Sequence, residues 1–395
     1  MGRSIFTSAV HAGERAPRPD FTPVSTPLQR SVGFIYEDMS TLDAIFGDER
    51  DGYVYPRYGS PTVSALETAV ATLEGGEAAL AVSSGMAAIH LALLAASALI
   101  GSSVVAAQDC YGATYALMRD LFTTQGVKVH FVDITDLAEV ERALADARPS
   151  AVVLETISNP LLKVAAIPRI VEMAHAVGAQ VIVDNTFATP YLCRPLDHGA
   201  DFVIHSSTKY FGGHGDVMGG AIVTSSANRA RLFQLIKMIG CNLGPDEAWL
   251  TLRGLKTLPL RMRQHCANAQ RVALWLADNP RVERVHYPGL AGHPQHRLAQ
   301  HLFGGQGFGG MVSFEIRDAH QPAVFRFLEN LRLVLPATTL GDVYSLVLYP
   351  AMSSHRALSV SEREQVGIGE GLVRLSVGIE DADDIIADLD QALNS

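Results

Sequence analysis

Cysteine is scarce in this chain. Its 395 residues include four, namely Cys110, Cys193, Cys241 and Cys266, and none form a CxxC pair. That spacing excludes a cysteine zinc site and a disulfide framework and suits a reducing compartment such as the cytoplasm. Positive charge is also short: 31 Lys and Arg stand against 41 Asp and Glu, a net charge of −10. A nucleic-acid partner therefore has no electrostatic support. The opening stretch, MGRSIFTSAVHAGERAPRPD, has no apolar core of the kind a signal peptide carries. The apolar run Leu91–Ile100 is interrupted by polar residues before it reaches bilayer length, so no membrane span is expected. Repeats and low-complexity tracts are missing too. His286, His293 and His296 lie in a proline- and glycine-rich turn without nearby carboxylates, and no metal is expected there.

What is present describes a well-buried globular enzyme: 48% hydrophobic and 18% charged residues. The length exceeds what one core usually serves, so a large and a smaller domain are expected. Residues 1–60, with Pro17, Pro19, Pro23, Pro27 and Pro56, read as an extended arm that needs another surface to bury it. Ser60-Pro61 opens a helix with the apolar stripe Val63, Leu66, Val70 and Leu73, stopped at Gly75-Gly76. A strand, Ala78–Val82, and an apolar helical run, Ala87–Ile100, follow. Strand-like runs then recur at Ser103–Ala106, Val127–Val132, Ala151–Leu154, Val181–Val183, Phe202–Ile204 and Ala221–Val223. Helical patterns, among them Leu137–Ala147 and Pro168–Val177, separate most of them. Strands apolar on both faces and spaced by helices predict an α/β fold with a mostly parallel, doubly covered sheet over residues 61–248. From Trp249 the pattern changes. Helical Leu250–Leu260, Ala267–Ala277, Ala323–Asn330 and Asp383–Leu393, with strands Met311–Ile316 and Leu372–Val377, predict a smaller α+β domain over 249–395. The segment GGQGFGG, Gly304–Gly310, precedes a strand rather than a helix and reads as a connector, not a phosphate loop.

Polar residues cluster just past the ends of the parallel strands: Asp109 to Tyr111, Glu155 to Asn159, Asp184 to Thr186 and Ser206 to Lys209. That edge is where open α/β sheets bind ligands. The segment Asp201–Gly220 is the most telling. A buried strand runs into Ser206, Ser207 and Thr208, then Lys209, then a glycine-rich stretch. Burial and nearby cations can strip the proton from such a lysine and make it a nucleophile toward an aldehyde, although a surface lysine in a turn fits the local pattern too. Ser83-Ser84-Gly85-Met86 lies between a strand and a helix, which places free amides at a helix N-terminus, an anion site or a mere tight turn. Tyr55 and Arg57, two apart in an extended segment, project to one side and suit a phosphate, or ordinary packing. One ligand uses a nucleophilic lysine, a strand-end carboxylate, an aromatic face, backbone amides and a cation together: pyridoxal 5'-phosphate.

On these residues the chain resembles the cysteine/methionine-metabolism group of pyridoxal-phosphate enzymes. That group comprises cystathionine γ-synthase, cystathionine γ- and β-lyases, methionine γ-lyase and O-acylhomoserine sulfhydrylases. The matching segments are YPRYGSPT from Tyr55, SSGMAA from Ser83, DCYGATY from Asp109, ETISNP from Glu155, VDNTFATP from Val183, HSSTKYFGGHGDVMGG from His205, RGLKTLPLRM from Arg253 and LVRLSVGIED from Leu372. The resemblance implies the aspartate-aminotransferase-like fold, fold type I. It implies that Lys209 carries the cofactor and later moves protons, and that Asp184 meets the pyridine nitrogen. Gly85 and Met86 with Ser206 and Thr208 hold the phosphate, and Tyr111 stacks on the ring and aids the leaving group. Asn159 and Arg374 grip the substrate carboxylate, while Thr339 orients the lysine or that carboxylate. Tyr55 and Arg57 reach the phosphate of a neighbouring subunit, so the resemblance implies a homotetramer built from two active dimers.

The chain departs from the group's pattern at several places. Thr338-Thr339 stands before Leu340-Gly341 where many γ-synthases and γ-lyases carry Glu-Ser. Thr338 offers no carboxylate to the distal ammonium of cystathionine, which favours a neutral substrate tail. Ala113 stands where methionine γ-lyases carry cysteine, whereas Lys237 resembles a lysine of methionine γ-lyases and sulfhydrylases. Tyr344–Arg356 also departs from the common motif. The leading expectation is γ-elimination of a thiol from methionine, homocysteine or cystathionine, giving 2-oxobutyrate and ammonia. The alternatives are γ-replacement on O-acetyl- or O-succinylhomoserine, then a cystathionine β-lyase. A silent binding protein is opposed by the intact set Lys209, Asp184, Tyr111 and Arg374.

Overall fold

A computed structural model describes residues 4–13, 22–47, 49–353, 356, 363 and 367–395. Pro17, Pro19, Ser354 and His355 lie outside these. The arm holds two short helices, α1 (Ile5–His11) and α2 (Met39–Phe46). The sequence reading expected extended chain here. Local caps explain the difference: Ser4 accepts the Thr7 N–H, and Asp38 Oδ1 accepts the Thr41 N–H at 2.6 Å. The Tyr55–Arg57 segment also differs. Pro56–Tyr58 forms one 3₁₀ turn, so the two side chains are not same-side neighbours on a strand.

From Ser60 the chain alternates as expected. Helix α3 (Pro61–Glu74) starts on Ser60, whose hydroxyl accepts the Val63 N–H, and ends at Gly75 with φ +73°. Strand β1 (Ala78–Val82) and helix α4 (Gly85–Ala95) follow; α4 stops short of the predicted Ile100, with Ser97 at φ +62°. Then come β2 (Ser103–Ala107), α5 (Gly112–Ala116) running into a π-helical turn at Leu117–Phe122, β3 (Lys128–Val132), α6 (Leu137–Ala147), β4 (Ala151–Glu155), α7 (Ile167–Ala176), β5 (Gln180–Asp184), α8 (Thr189–Leu192), β6 (Phe202–Ser206) and β7 (Gly220–Thr224). They form one seven-stranded sheet in the order β1-β7-β6-β5-β4-β2-β3. Only β7 runs against its neighbours, so the sheet is mostly parallel. Its central strands are buried on both faces, with Val104 to Ala107, Ala151 to Leu154 and Phe202 to Ile204 nearly inaccessible.

After α9 (Ser226–Ile239) come α10 (Pro245–Leu255) and α11 (Leu258–Asp278). The break falls at Lys256-Thr257, earlier than the sequence suggested, because Pro259 lacks an N–H and fits only a helix's first turn. A second sheet joins β8 (Val282–His286), β9 (Met311–Ile316), β10 (Leu335–Pro336), β11 (Leu346–Leu348) and β12 (Leu372–Ser376) in the order β10-β11-β12-β9-β8, with a closing helix at Ala382–Leu393. Strand β8, VERVH, escaped the sequence reading because its charged residues mask an edge strand. Gly304–Gly310 is a connector into β9, with positive φ at Gly304, Gly305, Gly307 and Gly309. The histidine turn does have a carboxylate after all: His286 Nε2 lies 3.0 Å from Glu315 Oε1. No metal-binding cluster occurs among the described residues, and no helix among them is long and apolar enough to cross a membrane.

The two sheets are pinned together around the segment after β6. Arg261 of α11, buried, donates from Nη1 to the Tyr210 carbonyl at 2.7 Å and from Nη2 to the Gly254 carbonyl at 2.9 Å. Gly254 of α10 lies against this segment so closely that a Cβ would sit 2.3 Å from the Gly212 oxygen and 2.4 Å from that of Phe211. Backbone cannot yield cheaply to such a contact. Gly254→Ala is therefore expected to destabilise the protein by about 1–3 kcal/mol, read as a lower urea midpoint at unchanged slope, and to displace the Lys209 turn.

Candidate active site

A cavity of about 490 Å³ opens at the C-terminal edge of the parallel strands. It is lined by Ser84, Gly85, Met86, Tyr111, Glu155, Asn159, Asp184, Ser206, Thr208, Lys209, Thr338 and Arg374. Residues far apart in the chain meet here because each parallel strand delivers the residue that follows its last buried position. The second sheet closes the opposite wall.

Lys209 sits in the turn after β6, where its N–H donates to the Ser206 carbonyl at 3.1 Å and its carbonyl accepts the Gly213 N–H at 2.8 Å. Its Nζ donates to Thr339 Oγ1 at 2.9 Å. Burial, and then the Arg374 guanidinium, push the ammonium down to about 8, with Asp342 opposing. Near neutrality a real fraction is therefore free amine. Arg374 lies in the middle of β12, 3% exposed. Its Nη1 donates to Asn159 Oδ1 at 2.9 Å, while its Nε has no hydrogen-bond partner among the described residues. Burial lowers it to about 10. A buried guanidinium with unused donors is suited to a carboxylate.

Asp184 ends β5, and its Oδ1 accepts the Thr186 N–H at 3.0 Å. Burial raises its carboxyl above the usual range, offset by Thr186 and by His205. Beside it in strand register lies Glu155, whose Oε1 accepts the Tyr111 N–H at 2.6 Å. Burial, and next the Asp184 charge, hold Glu155 well above the usual carboxylate range. In the sequence Glu155 stands in a strand-end polar cluster and opens the family-matching segment ETISNP, with no role attached to it. Tyr111 caps the start of α5 and is 43% exposed at the cavity mouth.

The floor between α4 and β6 is built without side-chain bulk. A Cβ on Gly85 would meet Ser206 Cβ at 2.9 Å, and one on Gly220 would meet the Ser84 carbonyl oxygen at 2.2 Å. Ser84 caps α4, its hydroxyl accepting the Ala87 N–H at 3.1 Å. Gly85 and Met86, at the start of α4, line the cavity together with Ser206, and the free amides of a helix start suit an anion. The Thr208 hydroxyl is engaged with Gly219, accepting its N–H at 3.0 Å. Tyr55 and Arg57 do not line this cavity. Arg57 Nη1 donates to the Lys237 carbonyl at 2.8 Å, and the guanidinium lies over the Tyr55 and Tyr58 rings. Lys237 stands over the Tyr58 and Phe233 rings, outside the cavity.

An aldehyde, a ring nitrogen that prefers to be cationic and a phosphate find matching partners in this cavity. They are a lysine with a lowered ammonium, a buried carboxyl lacking a full positive partner and an uncluttered helix start. The chain matches the model of the Cys/Met metabolism PLP-dependent enzymes over residues 6–394. It belongs to that family. Its cofactor is pyridoxal phosphate, and it is a carbon–sulfur lyase or a closely related synthase. It is 43% identical to the L-methionine γ-lyase of Fusobacterium nucleatum subsp. polymorphum, over 98% of each chain. To the cystathionine β-lyase of Lactococcus lactis subsp. cremoris it is 42% identical, over 99% of each. Among solved structures it resembles the cystathionine γ-synthase of Xanthomonas oryzae pv. oryzae in complex with cystathionine, with TM-score 0.93, 38% identity, and coverage of 100% of this chain and 98% of that one. The fold of these enzymes is the fold expected from the sequence.

The proton balance at Lys209 can be measured in the cofactor-free protein. Amine-directed acylation of Lys209, followed by peptide mass spectrometry, is expected to rise with pH about a midpoint near 8. Arg374→Gln removes a repelling cation and is expected to move that midpoint upward.

Proposed function

We propose that this member of the family is a γ-lyase that releases a thiol from a sulfur amino acid with a neutral tail, yielding 2-oxobutyrate and ammonia. The observation that carries this reading is the part of the lining that the shared chemistry does not use. Met218, Thr338, Leu340 and Leu348 line the cavity together with Arg374, and none of the four is charged. Thr338 is exposed to the cavity mouth and offers a hydroxyl where a distal ammonium would need a carboxylate. A methyl thioether loses little there, whereas the second amino-acid end of cystathionine would give up water for no partner.

Pyridoxal phosphate, when bound, supplies an aldehyde for amines and an electron-withdrawing ring. This chain's own residues do the rest. Arg374, with Asn159, holds the substrate carboxylate and so aims the α C–H bond at the Lys209 side. The Lys209 amine, held by Thr339 and partly unprotonated near neutral pH, takes the α proton and then moves a β proton, whose C–H electron pair is what breaks the Cγ–S bond. Asp184 keeps a negative charge against the ring nitrogen, and the first amides of α4 with Ser206 hold the phosphate. The Tyr111 phenol at the cavity mouth delivers a proton to the departing sulfur. Tyr55 and Arg57 stand outside their own cavity, which supports a role at the phosphate of a second copy, with the active dimer pairing again into a tetramer in the cytoplasm. Replacement on an O-acylated homoserine starts with the same two proton removals but expels a carboxylate, and it ends with an added thiol bonding to the γ carbon in place of a proton.

Product analysis tests the reading. Methionine or homocysteine is expected to give 2-oxobutyrate with release of the thiol; pyruvate from cystathionine would mark a β-lyase instead. Thioether formed from O-acetyl- or O-succinylhomoserine plus thiol, without 2-oxobutyrate, would mark a synthase. Thr338→Glu is expected to raise kcat/KM for cystathionine relative to methionine by roughly five- to tenfold, the scale of a partly exposed ion pair of about 1 kcal/mol.

A further inference from the structure

Behind the cavity floor lies a polar group that the chemistry above does not use. Glu74, His205, Asn185 and Thr156 are each 0–1% exposed, and each comes from a different element: the last turn of α3, strand β6 and the residues just past β5 and β4. Glu74 Oε1 lies 2.5 Å from His205 Nε2 and accepts from Asn185 Nδ2 at 2.9 Å. Asn185 Nδ2 also donates to the Cys193 carbonyl at 2.8 Å, and its Oδ1 accepts the Thr156 hydroxyl at 2.7 Å. The amide of Asn185 is therefore used at both ends, which leaves it one orientation. The His205 ring stacks on Phe211 at 4.3 Å.

Apolar residues would fill this space at lower desolvation cost. Nor does the helix call for the charge: a carboxylate at the C-terminal end of α3 opposes the helix dipole. The location explains the polar set better. Asn185 follows Asp184 directly, and His205 precedes Ser206. The Asn185 N–H donates to the Ile204 carbonyl at 2.9 Å. The Ser206 N–H donates to Thr186 Oγ1 at 2.9 Å, and the Thr186 N–H donates to Asp184 Oδ1 at 3.0 Å. The network thus closes a loop of hydrogen bonds around the backbone that carries Asp184.

We propose that Glu74 and His205 form a buried positioning pair that locks the ends of β5 and β6 in register and so aims Asp184 at the ring nitrogen of the cofactor. Neither residue lines the cavity; the pair acts through Asn185 and Asp184. Its consequence for the enzyme is a fixed carboxylate direction that survives substrate exchange, when the lysine side of the site must move. This rests on the reading of Asp184 given above.

Holoenzyme variants test it. Glu74→Gln keeps the shape and one acceptor, and His205→Gln keeps a donor. Each is expected to lower kcat about tenfold with KM within about threefold, as loss of an outlying partner does. Each is also expected to speed cofactor loss and to change the ratio of the bound cofactor's absorption bands. The double variant is expected to lose less than the sum of the two singles. Thr156→Val, which removes one hydroxyl, is expected to move the bands in the same direction to a smaller degree, and it serves as the deciding variant if the other two do not fold. A folded Glu74→Gln enzyme with a lowered Tm but unchanged bands, cofactor release and kcat overturns the proposal. So does an unchanged spectrum in Thr156→Val where the others fail to fold. Asp184→Asn, measured alongside, separates the two readings. Unmoved bands in Asp184→Asn remove the assignment of Asp184 itself, whereas moved bands there with none in Glu74→Gln remove only the positioning pair.

Discussion

Two cations share one buried cavity, and most of this architecture answers that fact. Burial depresses both, and the Arg374 guanidinium further lowers Lys209, to about 8. Since a guanidinium does not give up its proton in proteins while an ammonium does, the tension resolves on one side: the lysine becomes the neutral partner. A reactive amine is thereby obtained without a dedicated base next to it. Asp342, 1% exposed, limits how far the shift goes.

Keeping the two cations at a working separation falls to the contact between the sheets. Asp184 ends a strand of the parallel sheet and Lys209 follows one, whereas Arg374 is on β12 of the second sheet and Thr339 on the loop between β10 and β11. Val343 N–H bonds the Gly213 carbonyl at 2.9 Å, Ser313 Oγ bonds the Pro160 carbonyl at 2.7 Å and Arg374 bonds Asn159. Arg261 holds the carbonyls of the Lys209 turn from beneath. The site is thus a seam between two layers. Substitutions well away from it, such as those at Gly254, bear on the chemistry through that seam rather than through contact.

Much of this could be read from the chain alone. Lys209 and Asp184 were visible because each follows a short, wholly apolar run, and in a parallel sheet the residue after such a run must emerge at the binding edge. Gly85 was visible because small residues between a strand and a helix leave amides uncovered. Glu155 was seen in a strand-end polar cluster and a family-matching segment but without a role, since its bond to the Tyr111 amide depends on a loop conformation that no spacing encodes. Arg261 and His205 fell within family-matching segments but had no role attached to them, and Glu74 gave no signal. A charged residue within a helical pattern reads as solvent-facing until the packing partner is known, and Glu74 and His205 are 131 residues apart.

The order of strands and helices, the polar edge and the amine with its likeness to a family of pyridoxal-phosphate enzymes were determined by the sequence itself, because hydrophobic period and local capping act over a few residues. The distance from Lys209 to Thr339, the grip of Arg374 on Asn159 and the lowered ammonium were decided only in the folded chain. Desolvation and charge–charge repulsion depend on which groups share a cavity, and here those groups come from distant parts of the chain, joined by the docking of two sheets.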